Sequence, residues 1–208
     1  MARESAQEKL IRLTQIERAE NERAGRVLMI AGIDEVGRGP LAGPVVTACV
    51  SMSLDKLVPG VDDSKKLSEK KREELYALIK ENADYAETTW IWQDEIDRIN
   101  ILNATKKAME TCAANFKGDL IFVDAVDGIL LPCAHKSILH GDALSYMIGA
   151  ASIVAKVERD RYMAQMDEKY PMYGFKQNKG YGTAQHIEAI KKYGPCELHR
   201  MSFITKFI

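Results

Sequence analysis

A chain of 208 residues with 46% hydrophobic content is long enough for one large domain, or two small ones, with a real core. Its net charge of −1 supplies no overall basic field, so any contact with nucleic acid must come from local patches. The widely separated Cys49, Cys112, Cys133 and Cys196 form no C-x-x-C pair, which argues against zinc and for buried thiols in a reducing cytosol.

The N-terminal 25 residues are charged and carry helical spacing at Leu10, Leu13 and Ile16, predicting a helical extension over residues 1–26 ahead of a domain over 27–208. That extension lacks the apolar centre of a signal peptide, and no later stretch approaches a membrane span, so a cytoplasmic protein is expected. Residues 27–33 form an apolar strand that delivers Asp34 and Glu35 into the turn Gly37-Arg38-Gly39, and residues 45–50 form a second strand. Neighbours on a strand face opposite ways. Two inward carboxylates therefore require a bend, which the bordering glycines permit; the alternative is a hairpin with exposed acids.

Ser68 is placed to cap a helix with Leu75, Leu78 and Ile79 on its apolar face and Leu67 as its staple. Residues 85–92 predict a strand on which Trp90 and Trp92 pack against the sheet, and residues 99–116 predict one or two helices. A short strand over 120–123 ends at Asp124. A long helix over 143–166 follows, with alanines at 143, 150, 151 and 155 allowing close packing on a sheet, and Asp142 stands at its start. A last amphipathic helix over 183–193 is closed by Gly194-Pro195. No repeat or Pro/Ser-rich linker divides the chain, so the expectation is a single α/β domain.

Four acids occupy informative places. Asp34 and Glu35 end one strand, Asp124 ends another, and an acid there projects into the crevice where α/β sheets bind ligands. Asp142 is either a simple helix cap or a fourth member, and Asp127, in the turn Val126-Asp127-Gly128, competes with Asp124. Clustered carboxylates repel unless a cation neutralises them. An oxygen-only set points to Mg²⁺ or Mn²⁺, and a pair of such ions suits phosphodiester hydrolysis.

Several motifs extend this reading. The run from Asp34 to Val46, Asp63-Ser64-Lys65-Lys66-Leu67-Ser68, the Gly141-Asp142 pair with the stretch from Ala150 to Asp160, Tyr173-Gly174-Phe175, Asn178-Lys179-Gly180-Tyr181-Gly182-Thr183 and His199-Arg200-Met201-Ser202-Phe203 together resemble bacterial ribonuclease HII. The resemblance runs from about Val27 to Phe203 in the family's order. It implies a ribonuclease H-like fold, a mixed central sheet flanked by helices with a helical C-terminal part. It implies a metal-dependent endonuclease, with Mn²⁺ or Mg²⁺ held by Asp34, Glu35, Asp124 and Asp142. The 18-residue separation of Asp124 from Asp142 resembles the family's spacing and selects Asp124 over Asp127. His140, where the family often has lysine, and Met201, at a commonly basic position, depart from the pattern and bear on phosphate contacts.

The substrate this implies is an RNA–DNA hybrid or a DNA duplex with embedded ribonucleotides, cut 5′ of the ribonucleotide by a likewise expected monomer to leave 3′-hydroxyl and 5′-phosphate ends. A 2′-hydroxyl distinguishes RNA from DNA, and the glycines of Gly37-Arg38-Gly39 let backbone groups approach a sugar while Arg38 forks onto a phosphate. The resemblance implies that Tyr181 senses the ribonucleotide–deoxyribonucleotide step. Lys65 is a candidate phosphate contact, although its segment, residues 62–74, balances five basic with five acidic residues. Residues 176–208 carry six Lys and Arg against two Glu, which places duplex binding there. The four histidines show no metal spacing and are expected to be structural or on the surface. Two alternatives stand beside this: a nuclease requiring several consecutive ribonucleotides, and a non-catalytic hybrid-binding protein.

Overall fold

In the computed structural model, which describes residues 5–208, the apolar runs form one sheet of five strands. These are β1 (Ile30–Val36), β2 (Val45–Ser51), β3 (Tyr85–Ile91), β4 (Leu120–Asp124) and β5 (Ala134–Ile138), in the order β3-β2-β1-β4-β5. The pairs β1–β2 and β2–β3 are antiparallel, whereas β1–β4 and β4–β5 are parallel, so the sheet is mixed as expected. The helices are α1 (Ala6–Leu13), α2 (Gln15–Ala24), α3 (Glu69–Asn82), α4 (Gln93–Ile99), α5 (Ile101–Ala113), α6 (Gly141–Leu144), α7 (Tyr146–Lys169), α8 (Phe175–Asn178), α9 (Ala184–Tyr193) and α10 (Met201–Ile204). No described helix is long and apolar enough to cross a membrane.

Helix α7 covers one face of the sheet, burying Tyr146, Ala150, Ala151 and Val154 with Val46, Ala48 and Val50 of β2. Helix α5 covers the other, where Met109 and Cys112 meet Ala31, Ile33 and Ile121. Gly32, in mid-strand, explains how closely α7 approaches: a Cβ there would lie 2.2 Å from the backbone of Met147 and Ile148. A third cluster, with Phe175, Ile190 and Leu198 around Met163, attaches the helical C-terminal part. The extension packs on the body, with Leu13 in the α7-side core; residues 1–4 of it lie outside the described residues.

Several expectations are corrected. The first strand runs through Val36 instead of ending at residue 33, with Asp34 opposite Ala48 and Glu35 opposite Thr47, so there is no bend between the two acids. Pairing with β2, which continues through Val36, holds the backbone straight. The long helix begins at Tyr146, because Ser145 leaves helical geometry and its hydroxyl oxygen accepts the Ile148 N–H. Strand β5 was not anticipated. Its residues are mostly exposed, so it has no apolar alternation; it exists by pairing with β4. Helix α4 was not anticipated either, and Asn100 separates it from α5 while accepting the Asn103 N–H. Ser68 caps α3 as expected, with Leu75 and Ile79 buried, but Leu78 is exposed at the edge of that face. Only Cys49 and Cys112 are buried; Cys133 and Cys196 are partly exposed, and all four are free thiols.

Candidate active site

The β1 register sorts the two adjacent acids. Asp34 shares the α7 face with Gly32, and Glu35 shares the α5 face with Ile33. The Asp34 carboxylate accepts the Glu35 N–H at 2.8 Å and the Ser152 hydroxyl of α7, and Ser152 in turn bonds Ser64 at 2.9 Å. Asp124, at the end of β4, accepts the Gly141 N–H at 2.9 Å, which joins it to the short helix carrying Asp142. Asp142 is nearly buried and lies 3.4 Å from Lys65 Nζ. Asp127 is exposed in the turn beyond. Asp142 therefore does not open the long helix; it lies on the short α6, and the first turn of α7 is capped by Ser145. Its nearest charge partner is Lys65.

The acids are electrostatically strained. Burial, with the Glu35 and Asp124 charges adding to it, pushes the Asp34 carboxyl well above its ordinary pKa. Burial likewise raises Glu35, against the pull of Arg38, and raises Asp124, where the Gly141 N–H opposes the Asp142 charge. Glu35 Oε1 lies 3.4 Å from Arg38 Nη1, while its buried Oε2 has no hydrogen-bond partner. Among the described residues no three Asp, Glu, His or Cys side chains already form a metal-binding group. The donor chemistry nevertheless fits a hard divalent cation: oxygen ligands, an orphaned buried carboxylate oxygen and mutual repulsion that a cation would relieve.

Beside the acids the β1–β2 connection carries Gly37-Arg38-Gly39. Gly37 has φ of 95°, and a Cβ there would meet Arg159 Nε at 2.3 Å, so only glycine fits. Tyr181, half-exposed, brings its ring beside Gly39, with Cε1 3.6 Å from where a Cβ would stand. The Leu41 N–H donates to Gly180 O at 2.8 Å, tying the tyrosine segment to this loop. The glycine loop thus meets the acids through the Arg38–Glu35 pair and meets the tyrosine at Gly39.

Residues 31–206 match the family model described as Ribonuclease HII. A ribonuclease HII of Acetivibrio thermocellus is 53% identical over 182 residues, covering 86% of this chain and 71% of that one. The chain belongs to the ribonuclease HII family.

It is therefore an endoribonuclease of the ribonuclease H type. The ribonuclease HII in a complex with PCNA from Archaeoglobus fulgidus superposes with a TM-score of 0.74 at 30% identity, over 85% of this chain and 94% of that one. A Bst-RNase HIII solved in complex with Mn²⁺ shares the fold, with a TM-score of 0.68 at 18% identity over 86% of this chain and 68% of that one.

What the sequence did not show is how the glycine loop is held. Arg200 is fully buried and donates to Gly37 O at 2.6 Å, Arg38 O at 3.0 Å, Pro40 O at 2.9 Å and Gly43 O at 2.7 Å. Arg159, also fully buried, donates to Pro44 O, Ala42 O and Lys179 O. Burial lowers both guanidinium pKa values, to about 10 and about 9 for Arg159 and Arg200, so both stay charged at neutral pH. Arg200 is thereby removed from the basic surface expected to bind duplex. The available signal was Arg159 itself, a cation set in an alanine-rich helix. Lys65 projects largely into solvent while facing Asp142, and His140, with φ of 57°, stands immediately before α6. Met201 is exposed and donates its N–H to Asp97.

Proposed function

We propose that this protein hydrolyses the RNA strand of RNA–DNA hybrids and cuts on the 5′ side of single ribonucleotides embedded in duplex DNA, leaving 3′-hydroxyl and 5′-phosphate ends. The observation that carries the reading is the juxtaposition of buried, mutually repelling carboxylates on β1 and β4, with Asp142 joined to them through Gly141, and a glycine loop that meets Glu35 through Arg38. Asp34, Glu35, Asp124 and Asp142 would hold Mg²⁺ or Mn²⁺. Two such ions supply activation of a water and stabilisation of the leaving oxygen in this class of reaction.

The protein's own groups do the selecting. Gly37 and Gly39 let peptide groups reach a 2′-hydroxyl that deoxyribose lacks. The Tyr181 ring, beside Gly39, packs against the sugar at the junction. Arg38 is engaged with Glu35, and neutralising that carboxylate frees its fork for a phosphate. Lys65, Lys176, Lys179, Lys191 and Lys192 provide cations for the duplex backbone.

The test is a labelled DNA duplex with one ribonucleotide, incubated with Mg²⁺, Mn²⁺ or chelator. Cleavage 5′ of the ribonucleotide, abolished by chelator, is expected. Cleavage only of substrates with several consecutive ribonucleotides would instead favour the hybrid-specific alternative, and binding without turnover would favour the non-catalytic one.

A further inference from the structure

Tyr181 is held from behind by two buried histidines whose hydrogen bonds run in one direction. The Cys196 backbone N–H approaches His199 Nδ1 at 2.9 Å. The Cys196 carbonyl lies farther from the same nitrogen, at 3.3 Å, and already accepts the His199 N–H; a backbone N–H can only donate, so the closer contact leaves Nδ1 without a proton, and the neutral ring carries its proton on Nε2. That proton points at His186 Nε2, 3.1 Å away, which must accept it. The His186 proton is then on Nδ1, donating to Tyr181 O at 2.9 Å. One peptide N–H thus sets the tautomers of both rings and the direction of a chain that ends on the Tyr181 carbonyl.

The surroundings preserve this neutral arrangement. His186 is 0% and His199 2% exposed, and Tyr173 stands edge-on to His199 with centroids 4.8 Å apart. The Cys196 thiol, 3.3 Å from His199 Nδ1, is the other titratable neighbour. Burial depresses both imidazole pKa values, that of His199 to about 4. A proton added to His186 would set two N–H groups face to face across the 3.1 Å contact. The Tyr181 carbonyl also accepts the Thr183 N–H at 2.8 Å, so the peptide under the ring is fixed from two sides.

We infer that His186 and His199 are positioning residues, a tautomer-locked pair that sets the Tyr181 ring beside Gly39 and so sharpens selection of the ribonucleotide junction. This rests on the reading of Tyr181 as a substrate contact. Neither histidine touches substrate; both act through the tyrosine's backbone.

Two side-chain amides separate this role from mere packing. Asn at position 186 presents its N–H₂ where Nδ1 stood and keeps the bond to Tyr181 O, whereas Gln reaches His199 and leaves that carbonyl. The readout is the ratio of kcat/KM on a single-ribonucleotide duplex to that on a continuous hybrid. Loss of one neutral hydrogen bond predicts a fall of about fivefold for His186→Gln. His186→Asn retains the wild-type ratio, even though it leaves His199 Nε2–H without an acceptor and lowers the melting temperature. In a Tyr181→Ala background, His186→Gln changes the ratio no further. Nitrogen-15 NMR of the wild-type protein, which needs no variant to fold, should show the proton on Nδ1 of His186 and on Nε2 of His199. If Tyr181→Ala lowers the ratio while His186→Gln does not, or if His199 carries its proton on Nδ1, the positioning role is overturned and the tyrosine contact stands. A Tyr181→Ala enzyme with the wild-type ratio overturns both.

Discussion

The two halves of the candidate site, the acids and the glycine loop, solve opposite electrostatic problems. In the acid half, like charges are gathered and partly buried, Glu35 Oε2 has no partner, and burial with mutual repulsion drives the carboxyl pKa values up. In the loop half, two guanidinium groups are buried more deeply still, yet their N–H groups are spent on the carbonyls of residues 37–44 and 179. A buried charge is tolerable only when it is hydrogen-bonded or paired. The loop half meets that condition within the chain and forms a rigid template. The acid half meets it only in part, through Arg38 and Lys65, and a cation from outside would relieve the rest.

Breaking the acid half should have the largest effect on activity and the opposite effect on stability. Asp34→Asn or Asp124→Asn should lower cleavage by a factor of about 10²–10³ or more, the scale of losing one electrostatic catalytic group. Without metal, however, Asp34→Asn should melt higher than the wild type. The sign follows from linkage: a carboxyl raised above its ordinary 3.8 gives the folded state a proton the unfolded chain has already lost. Stability is then full below that value and declines as pH rises through the folded pKa. Melting curves in chelator at acid and neutral pH check this. Equal pH slopes for the wild type and Asp34→Asn would show that Asp34 carries no strain, and full activity in Asp124→Asn with loss in Asp127→Asn would move the site.

Breaking the loop half should cost stability first. Arg200→Met keeps much of the volume but strips donors from Gly37 O, Arg38 O, Pro40 O and Gly43 O, and about 3–5 kcal/mol is expected from orphaned buried acceptors. Denaturant unfolding measures it, and a loss under about 1 kcal/mol would mean the loop holds its shape unaided. The smallest effect should come from Lys65→Ala, beside Asp142 in the acid half. An ion pair at 3.4 Å with one largely exposed partner contributes less than about 1 kcal/mol, so stability should barely move and KM should rise a few-fold at low salt. A loss as large as that of the Asp variants would instead place Lys65 in the chemistry.

The sequence was most legible where an element buries its own face. Periodicity located β2, β3, β4, α3 and α9 closely, because apolar spacing records burial directly. It failed at β5, an exposed edge whose pairing leaves no apolar signature, and at Asp34 and Glu35, where a bend was expected and a regular strand separates the acids onto opposite faces. It also misjudged the α7 start. The break at Ser145 is stabilised by Glu17, whose carboxylate accepts the Ser145 hydroxyl at 2.7 Å from 128 residues away.

By itself, then, the sequence determined the local motifs and their order: the acids of β1 and β4, the glycine loop and Tyr181 are all written there. Only the tertiary structure decided how they are held. Arg200 reaches back 163 residues to Gly37, and His186 and His199 form a chain whose direction depends on a single N–H. Local spacing encodes which faces are apolar, but whether a buried polar group finds its partner depends on chain segments that only folding brings within hydrogen-bond reach.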